Sequence, residues 1–164
     1  MSAARGAGGS LYLPDVAATQ DLGRRLAAAL PADTSGWMIL LEGDLGSGKS
    51  TLARALLNGL GFDGTVPSPT YTLVEPYDIH GRVVYHVDLY RISGESELPF
   101  LGWDDLRHGL MLIEWPERVA GLRDQADLSV GLDFDGNARQ ADIQLLSERA
   151  AALPGLASTS PVEV

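Results

Sequence analysis

The stretch Gly43-Asp44-Leu45-Gly46-Ser47-Gly48-Lys49-Ser50-Thr51 carries the clearest chemistry in the chain. Its first eight residues fit the phosphate-loop pattern GxxxxGK[ST] at every fixed position. Glycines let backbone N–H groups turn inward around a phosphate. A helix that starts at the loop offers its N-terminal dipole to the same anion. Lys49 is the candidate countercharge for the β- and γ-phosphates, and the Ser50 hydroxyl a candidate ligand for Mg²⁺. Lys49 is the only lysine in the sequence, the other basic residues being arginine.

Such a loop needs an acidic partner at the end of a neighbouring apolar strand. Leu110-Met111-Leu112-Ile113 is a continuous apolar run, and Glu114 follows it directly. Glu114 is therefore expected as the second metal ligand, against the plainer role of ending a strand or capping the helix at Pro116. Asp88 stands in His86-Val87-Asp88-Leu89-Tyr90-Arg91. It is either a carboxylate that activates water or tunes the metal, or a strand-end residue that caps a helix or pairs with Arg91. His86 reads as a structural strand residue. Ser68-Pro69-Thr70-Tyr71-Thr72 is either a γ-phosphate-sensing loop or an ordinary proline-stiffened turn. Trp115 either packs in the core or lies beside the nucleotide.

These residues need a scaffold. Leu22, Leu26 and Leu30 recur at helical spacing, with Thr19 as the expected N-cap and Pro31 as the stop. Trp37 to Leu41 reads as a buried strand, and STLARALLNGL as a helix ended by Gly59 and Gly61. YTLVEPYDI and RVVYHVDLY flank His80-Gly81 as a hairpin, and Pro76 puts its strand at an edge or bulge. Residues 126–146 form a second hairpin about Asp135-Gly136-Asn137. ESELPFLGWDDLRH is mixed and helical. The expected fold class is α/β, a mixed sheet flanked by helices. Residues 10–150 form one domain, between a Gly-rich tail at 1–9 and a frayed end at 151–164.

Composition limits the partners. The chain has 164 residues, net charge −10 and no cysteine. Thiolate metal sites and disulfides are excluded. An acidic chain lacks the basic face that grips nucleic acid by itself, so a protein partner fits better. No run is long enough to span a membrane, and the N-terminus lacks a secretory apolar stretch, which agrees with a cytoplasmic protein. With one lysine, the Asn-Lys-x-Asp element of guanine-specific switches cannot exist beside the loop. No LSGGQ signature is present either. Adenine is the expected base.

Taken together, GDLGSGKST, SPTYTLVEPY, YHVDLYR and LIEWPE, in this order and at these spacings, closely resemble the TsaE family. The likeness runs from about Leu11 to Leu146. It implies a P-loop NTPase fold and Mg²⁺-dependent ATP hydrolysis, weak alone and stimulated by partners. That hydrolysis drives turnover of a TsaB–TsaD-type complex, which makes tRNA N6-threonylcarbamoyladenosine (t6A). Contact with tRNA is then indirect, through the partners. The resemblance gives Lys49 and Asp88 catalytic roles and makes Ser50 and Glu114 the metal ligands. It adds Leu45, Gly46, Ser47, Gly48, Thr51 and Trp115 as nucleotide contacts, with Asp15 near the adenine. The stretch Pro99-Phe100-Leu101-Gly102-Trp103 departs from the family pattern. Two other classes stay open: a small-molecule kinase with Arg118 and Arg123 as a lid, and a nucleotide-gated binding module without useful hydrolysis.

Overall fold

The computed structural model describes residues 8–156. Seven strands form one sheet: β1 (Ser10–Leu13), β2 (Met38–Gly43), β3 (Val74–Ile79), β4 (Arg82–Asp88), β5 (Leu110–Glu114), β6 (Leu128–Asp135) and β7 (Ala138–Leu145). Their order across the sheet is β1-β7-β6-β2-β5-β4-β3. The middle strands β6, β2, β5 and β4 run parallel. The flanks β3, β7 and β1 are added antiparallel. The sheet is thus mixed, as the element pattern indicates.

The two apolar strands explain why the sheet has helices on both faces. Side chains alternate along a strand. In β2, Ile39 and Leu41 enter one core while Met38 and Leu40 enter the other. In β5, Leu110 and Leu112 face the first core, Met111 and Ile113 the second. A strand that is apolar on both sides must be covered on both sides.

Helices α1 (Val16–Ala29) and α2 (Lys49–Gly59) cover the first face. They approach closely at Gly23, where a Cβ would come within 2.5 Å of the Ala55 Cβ. The second face is covered by a 3-10 segment (Glu95–Leu101) and by α3 (Trp103–Leu106) and α4 (Leu122–Gln125). Among the described residues, no helix is long and apolar enough to cross a membrane.

Both expected hairpins form. His80 and Gly81 turn with positive φ, and Pro76 lies on β3, an edge strand that tolerates a missing N–H. Three details differ from expectation. First, Asp15 rather than Thr19 caps α1, its Oδ1 accepting from Ala18 N at 2.9 Å. Thr19 lies a turn inside the helix and is buried. Second, β1 escapes the sequence reading, because four residues are too few for a periodic signal. Third, the chain does not fray at 151. Helix α5 (Glu148–Ala151) is followed by Leu153 and Leu156, both buried in the first core. Apolar contact holds them where sequence pattern shows little. The other positions assigned to tails, 1–7 and 157–164, lie outside the described residues.

Candidate functional site

Three adjacent parallel strands end at one place. β2 runs into the glycine loop, β5 ends at Glu114 and β4 at Asp88, with Asp88 and Glu114 paired in register. The crevice at the carboxyl ends of parallel strands is where such sheets bind ligands. A cavity of about 210 Å³ lies there, lined by Leu45, Gly46, Gly48, Lys49, Ser50, Thr51, Thr70, Asp88, Glu114 and Trp115.

The loop is shaped by its glycines. Gly48, the N-cap of α2, has φ of 110°, a left-handed value that L side chains rarely adopt. No side chain caps α2. The first N–H groups of a helix have no partner within it, so this end suits an anion. The Lys49 ammonium meanwhile lies on the loop's own carbonyls, 2.5 Å from Gly43 O and 3.1 Å from Asp44 O. It also stands 3.9 Å above the Trp115 ring. Burial holds this ammonium below its ordinary 10.5, while the carboxylates of Glu114, Glu117, Asp88 and Asp44 pull the other way.

Glu114 is 3% exposed. The Ser50 hydroxyl donates to it, at 3.1 Å from Oε1 and 3.3 Å from Oε2. A hydroxyl and a carboxylate in contact are a fitting pair of oxygen donors for a hard divalent cation. From the other side, His86 Nε2 lies 2.5 Å from Glu114 Oε2.

Asp88 is also 3% exposed. Its Oδ1 accepts from Tyr90 N at 2.8 Å, and its Oδ2 from the Thr70 hydroxyl at 3.1 Å. Neither Arg91 nor a following helix is its partner. Arg91 instead stacks over the Tyr71 ring at 4.6 Å. The loop at 68–72 therefore touches the site through Thr70.

Trp115 has φ of 59°, in the left-handed region. That backbone costs a non-glycine residue about 1–2 kcal/mol. Its ring lines the cavity and lies 4.9 Å from the Tyr90 ring. Arg118 stands 5.0 Å over Tyr90. Lysine, tryptophan, tyrosine and arginine so form one stacked column from the loop to the surface. Arg123 is engaged elsewhere, with Glu42, Ser129 and Gln144.

The remaining sequence-picked residues fall on the other side of the loop. Asp15 and Ser47 line a smaller cavity of about 120 Å³ with Leu13, Val16, Thr19, Asn137 and Arg139. Arg139, from β7, was not singled out by sequence. Its Nε donates to Ser47 O at 3.1 Å and its Nη2 to Gly46 O at 3.2 Å. The hairpin of β6 and β7 is local, but it meets the glycine loop only because β6 pairs with β2, about ninety residues earlier in the chain, so no local signal marks Arg139. His86 did carry a signal, its alternation with Asp88 on one face of β4.

A strand, a glycine loop with the lysine, a helix and a carboxylate on the next strand define a P-loop NTPase fold. The crystal structure of Bacillus subtilis YdiB shares this fold, with a TM-score of 0.70 at 24% identity, covering 91% of this chain and 92% of that one. The family model for "Threonylcarbamoyl adenosine biosynthesis protein TsaE" matches residues 13–141. Proteins named tRNA threonylcarbamoyladenosine biosynthesis protein TsaE are similar over most of the chain. That of Haemophilus influenzae is 41% identical over 136 residues, 80% of this chain and 86% of its own. That of Synechocystis is 42% identical over 119 residues, 70% and 74% of the two chains. The chain belongs to the TsaE family.

Proposed function

We propose that this chain is a Mg²⁺-dependent ATPase that supports t6A modification of tRNA by driving turnover of a TsaB–TsaD-type complex. The observation that supports this most is the convergence of Lys49, Ser50, Glu114 and Asp88 on one cavity at the ends of three neighbouring strands. The uncapped start of α2 fits a polyphosphate, and the Ser50–Glu114 contact fits Mg²⁺. Among the described residues, no group of three or more His, Cys, Asp or Glu could hold a metal unaided. Mg²⁺ commonly takes one or two protein oxygens together with substrate phosphates and water.

The chain's own part in hydrolysis follows from these contacts. Backbone N–H groups at the start of α2 receive the phosphates. Lys49 trades two neutral carbonyls for phosphate oxygens, a stronger, charge-assisted contact. Ser50 and Glu114 would hold Mg²⁺, which would neutralise charge on the phosphates. Asp88 accepts a hydrogen bond from the attacking water and orients it, with Thr70 fixing the carboxylate through Oδ2. Water and ATP yield ADP and inorganic phosphate. The family names supply the t6A connection, and the acidic chain supports protein partners carrying the tRNA. A cytoplasmic location follows from that role.

The test is phosphate release from ATP by the full chain, alone and with a TsaB–TsaD pair. Slow release alone and marked stimulation by the pair are expected. Equal rates in both conditions refute the partner-driven cycle. A phosphorylated small molecule would indicate a kinase. ATP-dependent association without phosphate release would indicate a binding module.

A further inference from the structure

One buried side chain beside the site has no task in this scheme. His86 is 0% exposed. It sits on β4 two residues before Asp88, so both point to the same face, where Ser50 and Glu114 also lie. In register, His86 pairs with Leu112 and Asp88 with Glu114, so the imidazole lies one pleat behind the carboxylate. From there Nε2 reaches Glu114 Oε2 at 2.5 Å. In the tautomer that carries its proton on Nε2, the ring donates to this carboxylate oxygen. Nδ1 is buried and has no hydrogen-bond partner. The ring is thus held by the sheet and by one polar contact, and that contact is Glu114.

We propose that His86 is a positioning residue: it fixes the Glu114 carboxylate toward Ser50 and toward the divalent cation that these two would hold. The inference rests on reading Ser50 and Glu114 as the metal pair. A glutamate on a strand end can turn about its side-chain bonds, and each turn moves its oxygens away from Ser50. The imidazole holds Oε2 from behind, while the Ser50 hydroxyl faces both oxygens from the other side, at 3.1 Å from Oε1 and 3.3 Å from Oε2. Partners that orient a metal ligand are typically worth 10–100-fold in metal affinity.

The orphaned Nδ1 makes the test sharp. A glutamine amide can present an N–H where Nε2 stands, and it loses nothing at the other nitrogen. A leucine fills the space and donates nothing. An asparagine is too short to reach Glu114. The experiment measures Mn²⁺ affinity by electron paramagnetic resonance in the full chain saturated with ATP, for wild type, His86→Gln, His86→Leu and His86→Asn. ATP affinity without metal is read on the same samples. It reports the phosphate loop and stays within about threefold throughout, so a failed loop and a failed His86 assignment are distinguishable.

His86→Leu and His86→Asn should weaken Mn²⁺ binding by about 10–100-fold, while His86→Gln stays within about threefold of wild type. Unchanged Mn²⁺ affinity in His86→Leu overturns the proposal. So does a glutamine variant as weak as leucine, since shape rather than the hydrogen bond would then be what matters. Equal weakening of metal-free ATP binding overturns it as well, because the residue would then be structural.

Discussion

The Thr70 hydroxyl donates to Asp88 Oδ2 at 3.1 Å, joining a proline-rich loop to a buried carboxylate at the end of β4. The backbone repeats the connection, with Asp88 N donating to Leu73 O at 2.8 Å. The loop and the carboxylate are one unit. Replacing Asp88 by Asn keeps the size but removes the charge proposed to orient water. ATP binding should stay within about threefold, and phosphate release should fall by about 10²–10⁴-fold. Thr70→Val removes one hydrogen bond and should cost about fivefold in release, in keeping with a net bond of roughly 1 kcal/mol. Stopped-flow phosphate detection checks both. Unchanged release in Asp88→Asn returns Asp88 to a structural role.

Lys49→Ala leaves the proposed phosphate site without its buried countercharge. Removing one side of such a pair costs about 2–5 kcal/mol, so nucleotide affinity should fall by about 30-fold or more. Lys49→Arg should not restore it, because a planar fork cannot replace a point charge in a tight loop. Calorimetric titration with ATP decides, and affinity within threefold of wild type in Lys49→Ala rules the assignment out.

The same lysine should leave a mark on alkaline stability. Burial lowers its folded-state value below 10.5. Between that lowered value and 10.5 the unfolded chain holds more proton than the folded one, so stability rises with pH through the window. Lys49→Met has no such proton. The denaturation midpoint of the wild-type chain should therefore gain on that of the variant as pH climbs toward 10.5. A gap that does not change with pH speaks against a buried ammonium.

Arg139 ties the glycine loop to the far hairpin through Gly46 O and Ser47 O. Arg139→Ala should speed amide hydrogen exchange across residues 44–48 and weaken ATP binding by up to about tenfold, one or two net hydrogen bonds. Global stability should change little. Exchange as slow as in wild type shows that the loop holds its own shape.

Arg149 bonds the Asp127 carboxylate, from Nε to Oδ1 at 2.7 Å. Asp127 is 3% exposed and also accepts from Met38 N at 2.9 Å. Arg149→Ala leaves that carboxylate with less than it needs, costing about 1–3 kcal/mol. A urea titration reads it. Nucleotide affinity should not change, because this pair lies at the opposite end of β2 from the loop.

Local rules made much of this protein readable. The glycine–lysine spacing marks the loop, the continuous apolar runs mark β2 and β5, and Gly81 and Gly136 mark the hairpin turns. Each is a short-range consequence of backbone freedom or of burial on both faces of a strand, and sequence records such things directly. Glu114 was legible for the same reason, as the carboxylate closing an apolar run. Asp88 was legible as a candidate but not as a role, since a strand-end acid can equally cap or pair.

What sequence left open is decided by contacts between distant elements. Thr70 meets Asp88 because the chain folds back over the end of β4. His86 meets Glu114 only because β4 and β5 lie side by side in register, which brings residues 28 positions apart within hydrogen-bond reach. Arg139 reaches the glycine loop only through the order of strands in the sheet. Leu153 and Leu156 find a core that nothing in their neighbourhood announces. By itself the sequence determined the elements, the phosphate loop and the acidic candidates, because those depend on periodicity and residue type. Tertiary structure alone decided which oxygen faces which donor, because hydrogen bonds act over about 3 Å and strand order sets such distances.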